Sequence, residues 1–292
     1  MAHSARLASA LTAAVIAGLI APGPAAAQEP AAPVEQGFAG NYDYNGDGRA
    51  DLVARRDETG ILEVWPGSGS GGFGQRYDVG PGWNGMDLLA TAGDLDEDGR
   101  ADLLARRASD GALLFYGGDG TGFRPPVRIG FGWDAMSAVV AGHDYDGDGR
   151  ADYLAVESAT GYLWLYPGDG TGGHGVRVRI GSSWNAQKEL TAIGDMDEDG
   201  HPDIVAVRGA DECMYFYGGP GSQGFRRPVM FDCGWDVMAS AAAAGDFNGD
   251  GHADWVGRET ANGLLYLFTG DGEGGHSSSP VIDVGWGKMT IA

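Results

Sequence analysis

From residue 38 to residue 292 the apolar positions come in short runs, each closed by glycine, aspartate or asparagine. One stretch shows the arrangement: MDLLATAG (86–93), an acidic loop, ADLLARR (101–107), the turn ASDG, ALLFYGG (112–118), the turn DGTGF, and PPVRIG (125–130). Alternating apolar and polar positions, β-branched and aromatic content and close-set Gly/Asp turns predict four short strands rather than helices. The 53 glycines of the chain point the same way, because glycine inside a helix costs about 1 kcal/mol relative to alanine.

The arrangement recurs. The loops DYNGDGRAD (43–51), DLDEDGRAD (94–102), DYDGDGRAD (144–152), DMDEDGHPD (195–203) and DFNGDGHAD (246–254) begin 51, 50, 51 and 51 residues apart. Five tryptophans, Trp83, Trp133, Trp184, Trp235 and Trp286, keep step at spacings of 50, 51, 51 and 51. A period of ~50 residues holding four strands is the size of a propeller blade. The chain is therefore read as all-β, a five-bladed β-propeller of four-stranded blades. Residues 38–43 (FAGNYD) enter the first loop with no preceding GW, and VGWGKMTIA (284–292) ends the chain with a GW and the beginning of a strand. The N- and C-terminal segments are expected to share one blade, closing the ring and hiding its sheet edges. An open array would need capping repeats, and the sequence has none.

Ahead of the repeats, Arg6, an apolar run from Leu7 to Ala21 and an A-x-A site at Ala25 and Ala27 read as a signal peptide over 1–27. Gly18, Pro22 and Pro24 interrupt the run and argue against a membrane span. A Pro/Ala/Glu/Gln linker, 28–37, leads into the five repeats at 38–292. The mature chain is expected to be secreted, extracellular, monomeric and without a membrane span. The formal charge is −22, which excludes nucleic acid as a partner because phosphate binding needs basic patches. Cys213 and Cys233 would begin one strand and end its antiparallel neighbour, so they can face each other. A disulfide closing that loop would contribute roughly 3 kcal/mol in the chain-entropy model; two free buried thiols are the alternative.

The acidic loops carry the strongest chemical signal. Side-chain oxygens fall at positions 1, 3, 5 and 9: Asp43, Asn45, Asp47 and Asp51; Asp94, Asp96, Asp98 and Asp102; Asp144, Asp146, Asp148 and Asp152; Asp195, Asp197, Asp199 and Asp203; Asp246, Asn248, Asp250 and Asp254. Position 6 is always glycine, and position 7 (Arg49, Arg100, Arg150, His201, His252) would offer a carbonyl, leaving its side chain free to vary. Carboxylates this close repel unless a cation sits among them, and hard oxygen donors in a flexible cage suit Ca²⁺ better than Mg²⁺. An EF-hand is ruled out, since position 12 is Ala54, Ala105, Ala155, Ala206 or Gly257 rather than glutamate. A metal-free Asp/Gly turn is the alternative, weakened by five copies. Near-identical sites favour a structural role, with up to five Ca²⁺ ions, over catalysis.

The pattern D-x-[DN]-x-D-G-x-x-D, followed by a strand and an aromatic-Gly turn (FYGGDGTGF at 115–123, LYPGDGTG at 165–172), resembles the FG-GAP/VCBS repeat of secreted bacterial proteins and of integrin α-subunit propellers. The resemblance spans about residues 38–292. It implies a β-propeller with Ca²⁺ in the loops between first and second strands, whereas the blade number comes from counting repeats.

The five tryptophans allow two readings. They fill the wedges between blades, or they form a ring of sugar-stacking ligand-binding platforms. No nucleophile elbow, phosphate cradle or His/Cys metal spacing is present, so no catalytic residue is assigned. The expected role is a calcium-binding module for a carbohydrate or cell-envelope polymer. A protein-interaction or adhesion module is the competing class. An enzyme, a glycoside hydrolase or lyase using carboxylates in the channel, is a third.

Overall fold

A computed structural model describes residues 42–219 and 224–292. The expected signal peptide (1–27) and linker (28–37) lie outside the described residues. Five antiparallel sheets account for the strands. Blade 2 has strands Met86–Thr91, Leu103–Arg107, Ala112–Tyr116 and Val127–Gly130. Blade 3 has Met136–His143, Asp152–Glu157, Leu163–Tyr166 and Val178–Gly181. Blade 4 has Gln187–Gly194, Asp203–Arg208, Cys213–Tyr217 and Val229–Cys233. Blade 5 has Met238–Gly245, Asp254–Glu259, Leu265–Gly270 and a broken fourth strand, His276–Ser278 and Val281–Asp283.

Blade 1 is made from both ends of the repeat region. Its later strands are Leu52–Arg56, Ile61–Trp65 and Tyr77–Gly80, and its first strand is the C-terminal Met289–Ile291. Ala54 pairs with Ile291, Arg55 with Thr290 and Arg56 with Met289. The Tyr42 carbonyl accepts from the Asp51 N–H at 2.9 Å, completing from the N-terminal side what the C-terminal strand begins.

The first strands line the centre, where all five blades border a cavity of about 230 Å³. Backbones come close here. A Cβ on Gly93, which has φ +59°, would lie 2.8 Å from the Gly142 carbonyl of the next blade. The first and second strands of blade 2 are shorter than the hydrophobic pattern predicts, and pairing beyond Thr91 continues as Ala92 N–H to Asp102 O and Asp102 N–H to Gly93 O.

Each second strand is sandwiched between neighbouring blades; Leu103, Leu104 and Ala105 have no exposed surface. The wedges between blades are filled by the phase-locked tryptophans. Each opens a single 3-10 turn and is preceded by a left-handed residue, Gly82, Gly132, Ser183, Gly234 or Gly285. Each packs on a third-strand aromatic of the following blade: Trp83 on Tyr116, Trp133 on Tyr166, Trp184 on Tyr217, Trp235 on Phe268 and Trp286 on Trp65, at centroid distances of 4.5–5.2 Å. Such a pair contributes about 0.5–1.5 kcal/mol beyond its area burial. Two arginines brace the same junctions. Arg55 Nη1 donates to the carbonyls of Trp83 and Met86, and Arg106 Nη1 to those of Trp133 and Met136.

The cysteines stand opposite each other in blade 4, Cys213 paired with Cys233, and form a disulfide. No helix among the described residues is long and apolar enough to cross a membrane.

Candidate metal centres

The acidic loops all lie between the first and second strands of their blades. The first aspartate of each folds its own loop. In loop 43–51, Asp43 Oδ1 accepts from Gly46 N–H at 2.7 Å and Oδ2 from Gly48 N–H at 2.8 Å. The position-6 glycine donates in the same way to Asp94, Asp144, Asp195 and Asp246. It can do so because it takes a left-handed φ, from +82° to +94° across the five loops, which a side chain would resist.

The aspartate at position 9 ties the loop to the rest of the blade. Asp102 accepts from Leu95 N–H and Gly118 N–H, both at 2.8 Å, joining the loop to the end of the third strand. Asp51 does this with Tyr44 and Gly67, Asp152 with Tyr145 and Gly168, Asp203 with Met196 and Gly219, and Asp254 with Phe247 and Gly270. All five position-9 aspartates are completely buried. Burial lifts the carboxyls of Asp51, Asp102, Asp152 and Asp203 from 3.8 to about 7, and that of Asp254 to about 6, against the opposing pull of the backbone donors.

With values this close to neutrality the carboxyls exchange protons in the physiological range and a cation beside them would favour the deprotonated form, so metal-free stability has a defined pH dependence. A raised folded-state pKa means the folded protein takes up protons as pH falls through about 7, whereas the unfolded chain does so only near 3.8. In chelator the melting temperature is therefore expected to rise as pH is lowered from 8 to 5.5. His143 opposes this, since burial lowers it to about 4, but it is one group against five. Thermal melts in chelator at the two pH values check this, and a higher Tm at pH 8 would contradict it.

Three loops bring carboxylates together for a shared cation: Asp94, Asp96 and Asp102; Asp144, Asp146 and Asp152; and Asp195, Asp197 and Asp199 each lie with ligand oxygens within 4.8 Å. In the loops at 43–51 and 246–254, position 3 is an amide instead. Asn45 Oδ1 accepts from Asp47 N–H and Asn248 Oδ1 from Asp250 N–H. The donor set suits a hard cation, and Asp96 Oδ1 and Asp197 Oδ1 are buried without a hydrogen-bond partner among the described residues. Side chains at position 7 turn to other acids, Arg150 to Glu97 and His252 to Glu198.

The model of the FG-GAP-like repeat matches residues 43–105, 94–155, 144–206 and 195–257, each match opening on the first aspartate of a loop. The chain belongs to the FG-GAP-like repeat family. No curated protein matches it. Among solved structures, this FG-GAP-like propeller is similar to an Agrocybe aegerita lectin described as recognising non-reducing terminal N-acetylglucosamine, with 19% identity and a TM-score of 0.45, over 85% of this chain and 70% of that one. It is also similar to a luciferin-regenerating enzyme, with 11% identity and a TM-score of 0.40, over 83% and 78%. A Bacillus licheniformis rhamnogalacturonan lyase gives 15% and 0.34, over 78% and 55%.

The tryptophans of the FG-GAP-like repeats are turned inward, 1–8% exposed, with their rings against the next blade. Of their two readings, packing between blades is the one this burial supports, because a sugar cannot reach ring faces already covered. Sequence reasoning did not anticipate a cleft of about 410 Å³ between blades 2 and 3, whose lining includes Phe131, Trp133, Glu157, Tyr166, His174 and Arg177. Phe131 is 64% exposed and sits under the Arg128 guanidinium at 4.1 Å. Arg177 is held over Trp164 at 3.9 Å and donates to Tyr166 Oη and Glu157 Oε1. The Thr160 hydroxyl hydrogen-bonds Glu157 and, with Arg177 nearby, keeps its carboxyl below the usual range. The available signal was the residue two places before the repeated tryptophan, Phe131 in this repeat and Pro81, Ser182, Cys233 and Val284 in the others.

Proposed function

We propose that the protein is a secreted, calcium-stabilised propeller that binds a carbohydrate or cell-envelope polymer, with Ca²⁺ in the acidic loops serving the scaffold. The observation that carries the binding role is the cleft between blades 2 and 3. It combines an exposed aromatic, Phe131, with an ion pair of fixed orientation, Glu157 and Arg177. Sugar rings present apolar C–H faces that pack on aromatic rings, and adjacent hydroxyls that both donate to a carboxylate and accept from a guanidinium. The repeated loops support a structural role for the metal, since each position-9 aspartate fastens a loop to the end of a third strand. Export is supported by the leader pattern and by the Cys213–Cys233 disulfide, which persists in oxidising compartments.

The test is a binding screen of the mature chain against a panel of glycans and cell-wall polysaccharides in millimolar calcium. Phe131→Ala is expected to weaken any binding about tenfold or more, in line with the 1–3 kcal/mol of one buried aromatic contact, and to leave Tm unchanged because the ring is exposed. A folded wild type that binds nothing on the panel would overturn the carbohydrate reading and favour the protein-interaction one, whereas glycan binding indifferent to Phe131→Ala would keep the carbohydrate ligand and remove this cleft as its site.

A further inference from the structure

The five acidic loops are not equivalent, and the difference lies in residues outside the repeat motif. In blades 2 and 4 the hairpin between third and fourth strands reads GFR (122–124 and 224–226); the arginine position is Gly74 in blade 1, Gly175 in blade 3 and Ser277 in blade 5. Both arginines reach onto the carboxylates of their own blade's loop. Arg124 Nη1 lies 3.1 Å from Asp96 Oδ2, and its Nη2 contacts Asp98 Oδ2. Arg226 Nη2 lies 2.9 Å from Asp197 Oδ2, 2.7 Å from Asp199 Oδ2 and 3.9 Å from Asp203 Oδ1, so one guanidinium nitrogen stands among three carboxylates of a single loop.

The same two loops differ at position 4. The other loops have Gly46, Gly147 and Gly249 there in left-handed conformation. These two have Glu97 and Glu198, held at φ +58° and +55°. A glutamate in this region is strained, and its carboxylate leaves the loop for the next one, Glu97 toward Arg150 Nε at 3.3 Å and Glu198 toward His252 Nδ1 at 2.7 Å. Loops 94–102 and 195–203 thus each gather four motif aspartates and one glutamate, the highest local negative charge in the chain, and each has an arginine over it. Among the described residues no hairpin arginine reaches the four aspartates of loop 144–152, whose own Arg150 stands 3.8 Å from Asp148 Oδ2, and loops 43–51 and 246–254 have three aspartates and an asparagine.

We propose that Arg124 and Arg226 are resident counter-cations that divide the loops into three open calcium sites (43–51, 144–152 and 246–254) and two arginine-covered ones (94–102 and 195–203). This rests on the calcium reading of the loops. In the covered loops calcium must displace, or share carboxylates with, a tethered guanidinium whose effective concentration is fixed by the fold. Asp96 Oδ1 and Asp197 Oδ1 remain buried and unpartnered among the described residues, while the arginines hold the Oδ2 atoms. The covered loops are therefore weak sites rather than lost ones, and blades 2 and 4 keep their loops neutralised when calcium is scarce.

Calcium titration by isothermal calorimetry on the mature wild-type chain is expected to give three tight sites and two at least tenfold weaker. Arg124→Gly/Arg226→Gly, which installs the residue found in blades 1 and 3, should move the weak pair into the tight class, and Arg124→Lys/Arg226→Lys should keep it weak. Melting supplies a second readout: the glycine variant should lose several degrees relative to wild type in chelator and regain them in calcium. Five equivalent sites in the wild type, a weak class that persists in the glycine variant, or an equal loss of Tm with and without calcium would each overturn the proposal. Absence of any calcium binding would instead overturn the calcium reading on which it rests.

Discussion

Deletion of the last four residues, Met289–Ala292, is expected to destroy the native ring rather than trim it. These residues form the first strand of blade 1 and pair with Leu52–Arg56. Met289, Ile291 and Ala292 are all buried. Removing the two large side chains alone costs about 2–5 kcal/mol each by the yardstick of core truncations. The lost strand pairing adds to that, so the total rivals the 5–15 kcal/mol by which a typical domain is stable. The second strand of blade 1 would become an unpaired edge, a template for association with other chains. Size-exclusion chromatography and circular dichroism of the truncated chain should show aggregation or loss of the cooperative melt. A monomer melting within a few degrees of wild type would contradict closure of the ring by the C-terminus.

Withdrawal of calcium should have the other large effect. Each ion that binds only the folded loop adds about 2.7 kcal/mol at a free concentration one hundred times its dissociation constant. Three such sites give roughly 8 kcal/mol, and at about 2–4 °C per kcal/mol for a domain of this size the expected shift in Tm is on the order of 15 °C or more. The structure offers the route for this coupling. Without a cation the buried Asp51, Asp102, Asp152, Asp203 and Asp254 must take up protons or repel their neighbours, and each of them fastens its loop to the third strand through two backbone N–H groups.

The features readable in the sequence are those set by local spacing. The loops at 43–51 through 246–254 and the tryptophans from Trp83 to Trp286 share one period, so blade number, strand order and ring closure follow from register. Strand limits also put Cys213 at the start of one strand and Cys233 at the end of its neighbour, where the two can face each other, and the structure pairs them. What the sequence left open depends on distances between blades. Nothing in the period of Trp133 tells whether its indole faces a neighbour or the solvent; Tyr166 of the next blade decides that. The reach of Glu97 to Arg150, and of Arg124 back onto Asp96, is likewise a matter of how far hairpins lean. Departures from the repeat were the signal that could have found these features: GFR in two repeats of five, glutamate for glycine in the same two, and Phe131 where its counterparts are smaller. A repeat protein shows its scaffold in what recurs, and its individual chemistry in what does not.

The most direct test of the claim that the acidic loops are cation sites holding the blades together is differential scanning calorimetry of the mature chain at neutral pH, in millimolar calcium and again in excess chelator. A large, reversible fall in Tm is expected in chelator, restored by calcium and not by equal ionic strength of sodium chloride. Identical melting curves in the two conditions would contradict it.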